Sequence, residues 1–233
     1  MARITRKELK TDKFALEIGE TFSFFEEHQK EITRYGGIAV AVIALIAAYT
    51  VYSRHQQAAR EDALSQAITL QGAPVGAPSA PGGMAFPNQP AKDAATSKAF
   101  ADVAARYPGS AEGEIAQYYL GAIKADAGDM AGAEKQFQEV AQKGDAKYAS
   151  LAKMSLAQLY FGTGKDAQGE AVLRDLMAHP TVFVSKDQAA VTLARFLMAK
   201  KPAEARKLLD PIKLQPGPVG QLALTLSSQI PAQ

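Results

Sequence analysis

Nineteen consecutive residues of this chain, Tyr35–Ser53, carry no charge, and most of them are apolar. As a helix rising about 1.5 Å per residue, the segment spans ~28 Å, which is close to the hydrocarbon thickness of a bilayer. Tyr35 lies at one end, and Tyr49 and Tyr52 lie near the other, where amphipathic rings favour the membrane interface. The segment therefore predicts a single N-terminal transmembrane helix.

Two other interpretations of the uncharged segment are weaker. A core helix of a globular protein seldom runs so long without a polar face. A cleaved signal peptide has a short basic region before its apolar part, whereas 34 residues with seven acidic side chains precede this one. We therefore interpret residues 35–53 as an uncleaved signal anchor. Seven Lys or Arg residues in the tail favour a cytoplasmic N-terminus, although the immediate flanks of the anchor are balanced in charge.

The predicted cytoplasmic tail, residues 1–34, contains an apolar stripe at helical spacing, made of Phe14, Ile18, Phe22 and Phe25. The opposite face of that amphipathic helix would carry Glu17, Glu20, Glu26 and Glu27. Such a stripe can lie on a membrane surface or pack on a partner subunit, and the acidic face argues against direct contact with anionic lipid. Packing on a partner is the better interpretation, with a partly ordered tail as the open alternative.

Composition excludes several classes of function. The chain has no cysteine, which excludes a disulfide framework and cysteine-ligated metals, and its net charge of +2 argues against a general nucleic-acid binder. The histidines His28, His55 and His179 lie in three separate segments, so no shared metal site is predicted. Residues 162–165 read Gly-Thr-Gly-Lys but lack the spacing of a phosphate loop and follow a predicted helix. We expect neither catalysis nor a cofactor.

Composition also divides the part of the chain that follows the anchor. Residues 54–70 are rich in good helix formers and predict a helix. Residues 71–91 contain four Gly, five Pro and no charge, which predicts a long loop. Residues 92–233 show helical periodicity interrupted by short Gly or Pro turns. The chain is therefore predicted to be all-α, with short helices paired as hairpins.

An internal repeat with a 36-residue period runs through the helical region. One copy contains Leu120, Gly121, Gly128, Ala133 and Phe137, and the next contains Leu156, Ala157, Gly164, Gly169 and Leu173. A more degenerate copy follows, with Leu193, Ala194, Leu197, Ala205, Leu209 and Ile212. Small residues allow two helices to approach closely, and Phe137 and Leu173 fill the space between hairpins.

Weaker traces extend the repeat at both ends. Phe100 and Val103 are typical of the second helix of an earlier copy, whose first helix would be residues 55–70. The segment Pro218–Ile230 is predicted to cap the array through Leu222 and Leu226. The spacing of the copies, with Leu-Gly or Leu-Ala on the first helix, a Gly turn, and a small and a large residue four apart on the second helix, matches the tetratricopeptide pattern. An ordinary Ala-rich helical bundle remains the alternative, because Gln117 and Lys124 stand where that pattern is usually aromatic.

The layout of one anchor helix followed by degenerate tetratricopeptide copies resembles a family of bacterial inner-membrane tetratricopeptide-like proteins. That family includes the ancillary subunit of the Sec translocon. The resemblance rests on Tyr35–Ser53 and on the two copies around Leu120 and Leu156. It implies a single-pass inner-membrane protein with a periplasmic helical solenoid that links a translocon to extracytoplasmic chaperones.

The repeat register predicts which residues line the concave surface, because the first helix of each copy faces inward in such arrays. The candidate protein-binding residues are Tyr118, Leu151, Met154, Gln158, Phe161, Val191, Arg195 and Met198. This set is mostly apolar and includes adaptable methionines, so it favours a hydrophobic or helical partner. The alternative is that these residues contact neighbouring helices or the terminal helix of the chain itself.

These observations predict a non-enzymatic, membrane-anchored scaffold for protein interactions. The first hypothesis is an adaptor between a membrane secretion or assembly complex and extracytoplasmic proteins or chaperones. The alternative is a structural accessory subunit of another large membrane complex.

Overall fold

The computed structural model describes residues 29–78 and 83–230. Within these ranges it contains nine helices and one isolated β-bridge, between Val75 and Phe86. The helices are α1 Gln29–Gly72, α2 Gln89–Arg106, α3 Ala111–Asp126, α4 Met130–Lys143, α5 Ala146–Gly162, α6 Asp166–Ala178, α7 Lys186–Leu197, α8 Pro202–Leu209 and α9 Pro218–Gln229. The predicted all-α fold is confirmed. The stripe Phe14, Ile18, Phe22 and Phe25 lies outside the described residues.

The chain divides into two compact units, Met1–Ala58 and Ala59–Gln233. In the first unit, the large side chains between Tyr35 and Tyr52 are all about half exposed or more, and Leu45 is 71% exposed. Helix α1 is long and apolar enough, by length and composition, to cross a membrane. The sequence divided this helix into residues 35–53 and 54–70, but the structure has one helix of 44 residues, because no helix breaker separates the two parts.

The second unit begins at Ala59, within the C-terminal part of α1. Leu64 and Ala67 of α1 share a buried cluster with Phe100 and Val103 of α2. Helix α1 ends at Gly72 and α2 begins at Gln89, so both ends of the predicted loop 71–91 lie inside helices. Helix α2 begins at Gln89, where the side-chain oxygen of Asn88 accepts a hydrogen bond from the backbone of Ala91, 2.9 Å away. The sequence assigned Pro90 to the loop, but proline is compatible with the first turn of a helix, and Pro90 lies in the first turn of α2.

Helices α2 to α8 pack each against the next, and α3 also packs on α5. The connections are short, which makes consecutive helices antiparallel neighbours. Gly128 and Gly164 lie 36 residues apart in equivalent turns, with φ of +81° and +76°. Only glycine adopts this left-handed conformation without strain, so both turns depend on it. The structure thus has the predicted array of α-hairpins.

Small residues bring the two helices of a hairpin together, but they do so in two ways. A Cβ atom added at Gly121 on α3 would lie 2.7 Å from Cε1 of Phe137 on α4. In the next copy the small residue is on the second helix, because a Cβ added at Gly169 would lie 2.7 Å from Cε2 of Phe161. The bulky ring therefore belongs to the second helix in one copy and to the first helix in the other.

Helix α9 packs on α7 and α8 and ends the array. Its buried residues are Gly220, Ala223 and Leu226, and Ile230 just after the helix is also buried. Leu222 was predicted to help close the end, but half of it is exposed, since the face of α9 that meets α7 and α8 is centred on Ala223.

Candidate functional site

Two adjoining cavities lie between helices α5, α7 and α9 and the loop of residues 179–185. The larger holds about 270 Å³ and is lined by Leu151, Met154, Gln158, Phe183, Val184, Gln188, Val191, Thr192, Val219 and Leu222. The smaller holds about 230 Å³ and is lined by Gln158, Val191, Thr192, Arg195, Phe196, Leu222 and Leu226. Four residues line both cavities. The two cavities therefore form one surface feature, which we call the C-terminal groove.

Each of the three helices contributes a stripe of side chains at positions i, i+3 and i+7. The stripes are Leu151, Met154 and Gln158 on α5, Gln188, Val191 and Arg195 on α7, and Val219, Leu222 and Leu226 on α9. Residues at this spacing share one face of a helix. Seven residues rise about 10.5 Å, so the groove follows its helices for roughly two turns.

The groove has a buried apolar floor and a more exposed rim. Val191 and Leu226 are 3% and 6% exposed and lie at its base. Leu151 and Met154 are half-buried, and their free surfaces face the cavity. Gln158 and Leu222 are exposed at the lip. Apolar surface framed by a few polar groups is the usual composition of a protein-binding groove.

The loop of residues 179–185 forms one wall of the groove and is held by hydroxyl groups. The Thr181 hydroxyl lies 2.7 Å from that of Ser150, which is buried on α5. The same Thr181 oxygen accepts hydrogen bonds from the backbone N–H groups of Phe183 and Val184, at 3.3 and 3.1 Å. The ring of Phe183 packs edge-on against Tyr148. These contacts fix Phe183 at the edge of the cavity, where 41% of it is exposed.

Two salt bridges link successive hairpins, and their residues are separated by the period of the repeat. Lys165 contacts Glu134 at 2.6 Å, and Lys201 contacts Glu170 at 2.9 Å, with both residues of the second pair one repeat period further along the chain. Hydrogen bonds from Arg174 and then Lys201 hold the pKa of the Glu170 carboxyl below its ordinary value. Arg174 also bridges to Glu204 of the following hairpin. The same spacing of charges thus joins each copy to the next.

Comparison with known protein families agrees with this periodic construction. Residues 23–188 match the tetratricopeptide repeat-like domain, which is 166 of the 233 residues. The chain belongs to the tetratricopeptide repeat-like family. The predicted tetratricopeptide-like fold is therefore confirmed, and domains of this kind are typically binding modules for proteins. The chain matches no curated protein and no solved structure.

The tetratricopeptide-like match ends within α7, so it covers only part of the C-terminal groove. Residues beyond 188 supply most of α7, all of α8 and the closing helix α9. The wall that Val219, Leu222 and Leu226 provide lies outside the matched residues. The groove is thus formed partly by residues inside the match and partly by residues beyond it.

The structure brings five of the eight predicted tetratricopeptide-groove residues together. These are Leu151, Met154, Gln158, Val191 and Arg195. The sequence did not identify the contributions of Phe183, Val184 and Val219. A signal for the loop wall was present, since two large apolar residues, Val182 and Phe183, follow a His-Pro-Thr turn and are exposed.

The other three predicted residues serve as contacts between helices of the tetratricopeptide-like array. The Tyr118 hydroxyl lies 3.1 Å from that of Ser155, which joins α3 to α5. Phe161 stacks on Phe196 with ring centroids 4.0 Å apart, and Met198 packs against the C-terminal core. Their side chains pack between helices, a detail that a fixed repeat register does not determine.

The histidine and acidic side chains of the described residues are the candidate ligands for a metal site. Residues 29–78 and 83–230 contain no group of three or more His, Asp or Glu side chains that could hold a metal ion. His179 contacts the Asp175 carboxylate at 3.0 Å, and that carboxylate also receives Lys153 at 2.7 Å. The closeness of His179 to Asp175 is explained by contacts within and between helices α5 and α6.

Proposed function

We propose that this protein is a non-enzymatic scaffold, anchored in a membrane by Tyr35–Ser53, whose tetratricopeptide-like domain binds another protein in the C-terminal groove. The observation that carries the proposal is the open apolar groove formed by Leu151, Met154 and Leu222 on an array built from protein-binding repeats. The finer role is that of an adaptor between a membrane secretion or assembly complex and extracytoplasmic proteins or chaperones.

The proposed anchoring is supported by the apolar surface of α1. Ten large apolar or tyrosine side chains of Tyr35–Tyr52 are between 48% and 71% exposed. Leaving such surface in water costs about 25 cal/mol per Å², so a lipid or protein environment is strongly favoured. We place the segment in the bacterial inner membrane, with the N-terminus in the cytoplasm, on the basis of the seven basic tail residues and the layout of the resembling family.

Reporter fusions at residue 10 and at residue 233 test the proposed orientation. A reporter that is active only outside the cytoplasm should work at residue 233 and fail at residue 10. The opposite pattern would reverse the assignment of the two ends. Equal activity of a cytoplasmic reporter at both ends would argue against a single crossing.

The adaptor role is tested by affinity purification of the full chain in mild detergent. We expect translocon components and extracytoplasmic chaperones to copurify, because the layout resembles a family that works at the translocon. Recovery of no specific protein would contradict the scaffold function itself. Substrate turnover by the purified chain would contradict the expectation that it is not an enzyme.

The alternative function, a structural accessory subunit, is favoured by a different observation. The apolar side chains of α1 are exposed around the whole helix, from Tyr35 to Tyr52, so they could pack on other membrane helices as well as on lipid. The same purification separates the two roles. A stoichiometric complex unrelated to secretion, retained when the C-terminal groove is altered, would support the structural subunit.

A further inference from the structure

We infer that the C-terminal groove recognises an amphipathic helix of about two turns, on another protein, that carries an acidic side chain beside its apolar face. Arg195 is the residue that would pair with that acid. The inference rests on the proposed protein-binding function and specifies the chemistry of the partner. Three properties of the groove lead to it.

The first property is that the charge on Arg195 is unmatched. Many other cations of the second unit pair with carboxylates, among them Lys153, Lys165, Arg174, Lys200, Lys201 and Lys213. Arg195 has no carboxylate within ion-pair distance among the described residues, and it is exposed at the edge of the smaller cavity. A guanidinium also offers a planar fork of donors that suits a carboxylate.

The second property is that the lining contains no acidic residue that could satisfy Arg195 from within. Its other members are apolar or neutral, including Gln158 and Thr192 next to Arg195. A basic partner would bring a like charge to Arg195, and a wholly apolar partner would cover the guanidinium without a counter-ion. An acidic side chain is the group that complements this edge.

The third property is the shape of the groove. Each lining helix presents its stripe over seven residues, so the apolar surface extends for about two helical turns. The two adjoining cavities, about 270 and 230 Å³, share four lining residues and follow one another along the groove. A continuous apolar groove of this length suits the i, i+3 or i+4, and i+7 side chains of a docked helix.

The two faces of α9 give a matched pair of positions for testing the inference. Leu222 is 50% exposed and lines the groove, whereas Leu224 is 56% exposed and lies outside the lining. A benzoylphenylalanine placed at either position in the full chain reports by photo-crosslinking, in the membranes of the cells that make it, which protein lies there. Mass spectrometry then identifies the crosslinked segment of the partner.

We expect position 222 to crosslink to an amphipathic segment that has an Asp or Glu within one helical turn of the attachment point, and position 224 to give far less product. Arg195→Glu should reduce the yield at position 222 about tenfold, and Arg195→Lys should reduce it less, because lysine keeps the charge but loses the fork. Lys207→Glu is the control, since Lys207 is exposed on α8 and outside the lining. Exchange of the partner's acid for arginine should restore the yield in Arg195→Glu.

Two results would overturn the inference while leaving the scaffold function in place. One is a crosslinked segment without an acidic residue, with a yield unchanged by Arg195→Glu. The other is equal yields at positions 222 and 224 from a chain that still copurifies with its partners, which would locate binding elsewhere. An unchanged thermal melting curve for Arg195→Glu establishes that the fold is intact. Failure of the scaffold function is distinct, because no partner would then copurify with the unmodified chain.

Discussion

At the scale of single residues, the hairpins depend on pairing one small residue with one large residue across the helices. Gly121 lies against Phe137 in one copy, and the equivalent positions 36 residues later are Ala157 and Leu173. All three of Phe137, Ala157 and Leu173 are buried. Where glycine is replaced by the larger alanine, phenylalanine is replaced by the smaller leucine. The volume between the two helices therefore stays nearly constant.

Replacing this pair tests the compensation directly. We expect Gly121→Ala to lower the free energy of unfolding by about 1 kcal/mol, because overpacking against Phe137 outweighs the ~1 kcal/mol gain in helix propensity. In combination with Phe137→Leu, which reproduces the next copy, the same change should become stabilising. Thermal melts followed by circular dichroism in mild detergent measure the cycle, and strictly additive effects would contradict it.

Gly162→Ala is the control for this cycle. Gly162 ends α5, and a Cβ atom there would meet nothing within 4 Å. Because the gain in helix propensity is unopposed, this change should stabilise the chain by up to about 1 kcal/mol.

The small residues of the repeat could be predicted from the sequence, but their partners could be predicted only in part. The spacing identified Gly121 and Gly169 correctly as positions of close approach. The same spacing assigned Phe161 to the concave surface. In the structure, the Phe161 ring packs over Gly169 and stacks on Phe196. Periodicity places Phe161 on its helix but does not determine which neighbouring side chains its ring contacts.

At the scale of elements, the hairpins are joined by ion bridges as well as by apolar contacts. Glu170 on α6 receives both Arg174 of its own helix and Lys201 from the turn before α8. Its side chain is 21% exposed, so these contacts are partly shielded from solvent. The lowered pKa of Glu170 means that the native state favours its ionised form.

Glu170→Gln is therefore expected to destabilise the chain by about 1 kcal/mol at neutral pH, near the upper end for a partly exposed ion pair. A lowered folded-state pKa gives stability that is present above the ordinary value of 4.5 and is lost as the pH falls below it. The difference in melting temperature between the variant and the unmodified chain should shrink from pH 7 to pH 3. A difference independent of pH would contradict the assignment.

Glu139→Gln provides the comparison for Glu170→Gln. Glu139 pairs with Lys143 on the same helix, four residues away, and forms no salt bridge to a second hairpin among the described residues. Its replacement should cost no more than about 0.5 kcal/mol.

Most helix ends followed from the sequence, because Gly and Pro turns mark them. The exceptions have local causes. The start of α2 depends on the cap that Asn88 provides, so Pro90 lies in the first turn of the helix and does not belong to the loop. The end of α1 at Gly72 could not be separated from the Gly/Pro-rich segment by composition alone, since Gln71 and Gly72 are typical of either state.

At the scale of the whole molecule, the chain combines one apolar helical segment with an array that carries its own core. The core clusters of the second unit run from Leu64 and Ala67 to Ile230 without using the large side chains of Tyr35–Tyr52. The exposed apolar segment is therefore dispensable for burial in the repeats. It is available for a membrane.

Charged substitutions in that segment test the proposed anchoring. Ile43→Arg combined with Ile46→Arg places two charges near its centre, where each costs about 2.5–3.5 kcal/mol in a bilayer. We expect the chain to leave the membrane fraction after carbonate extraction. In the control variant, Ser65→Arg is combined with Gln66→Arg, at exposed positions beyond the uncharged segment. This variant should stay in the membrane fraction. Equal extraction of both variants would contradict the anchor.

The position of the groove along the array could be predicted from the repeat register, but its walls could not. The stripe on α5 and most of that on α7 follow from the spacing of Leu151, Met154 and Val191. The walls come from the loop around Phe183 and from α9, neither of which belongs to a repeat copy. Their placement depends on contacts distant in sequence, such as the pairing of the Ser150 and Thr181 hydroxyls.

The central claim is that the groove binds a partner protein. Its most direct test is quantitative copurification in mild detergent, in which the full chain with Leu222→Glu is compared with the full chain with Leu224→Glu. Both residues are exposed on α9, but only Leu222 lines the groove. We predict that at least one protein enriched with the unmodified chain falls about tenfold with Leu222→Glu and is retained with Leu224→Glu. Equal retention of every enriched protein by the two variants would contradict the claim.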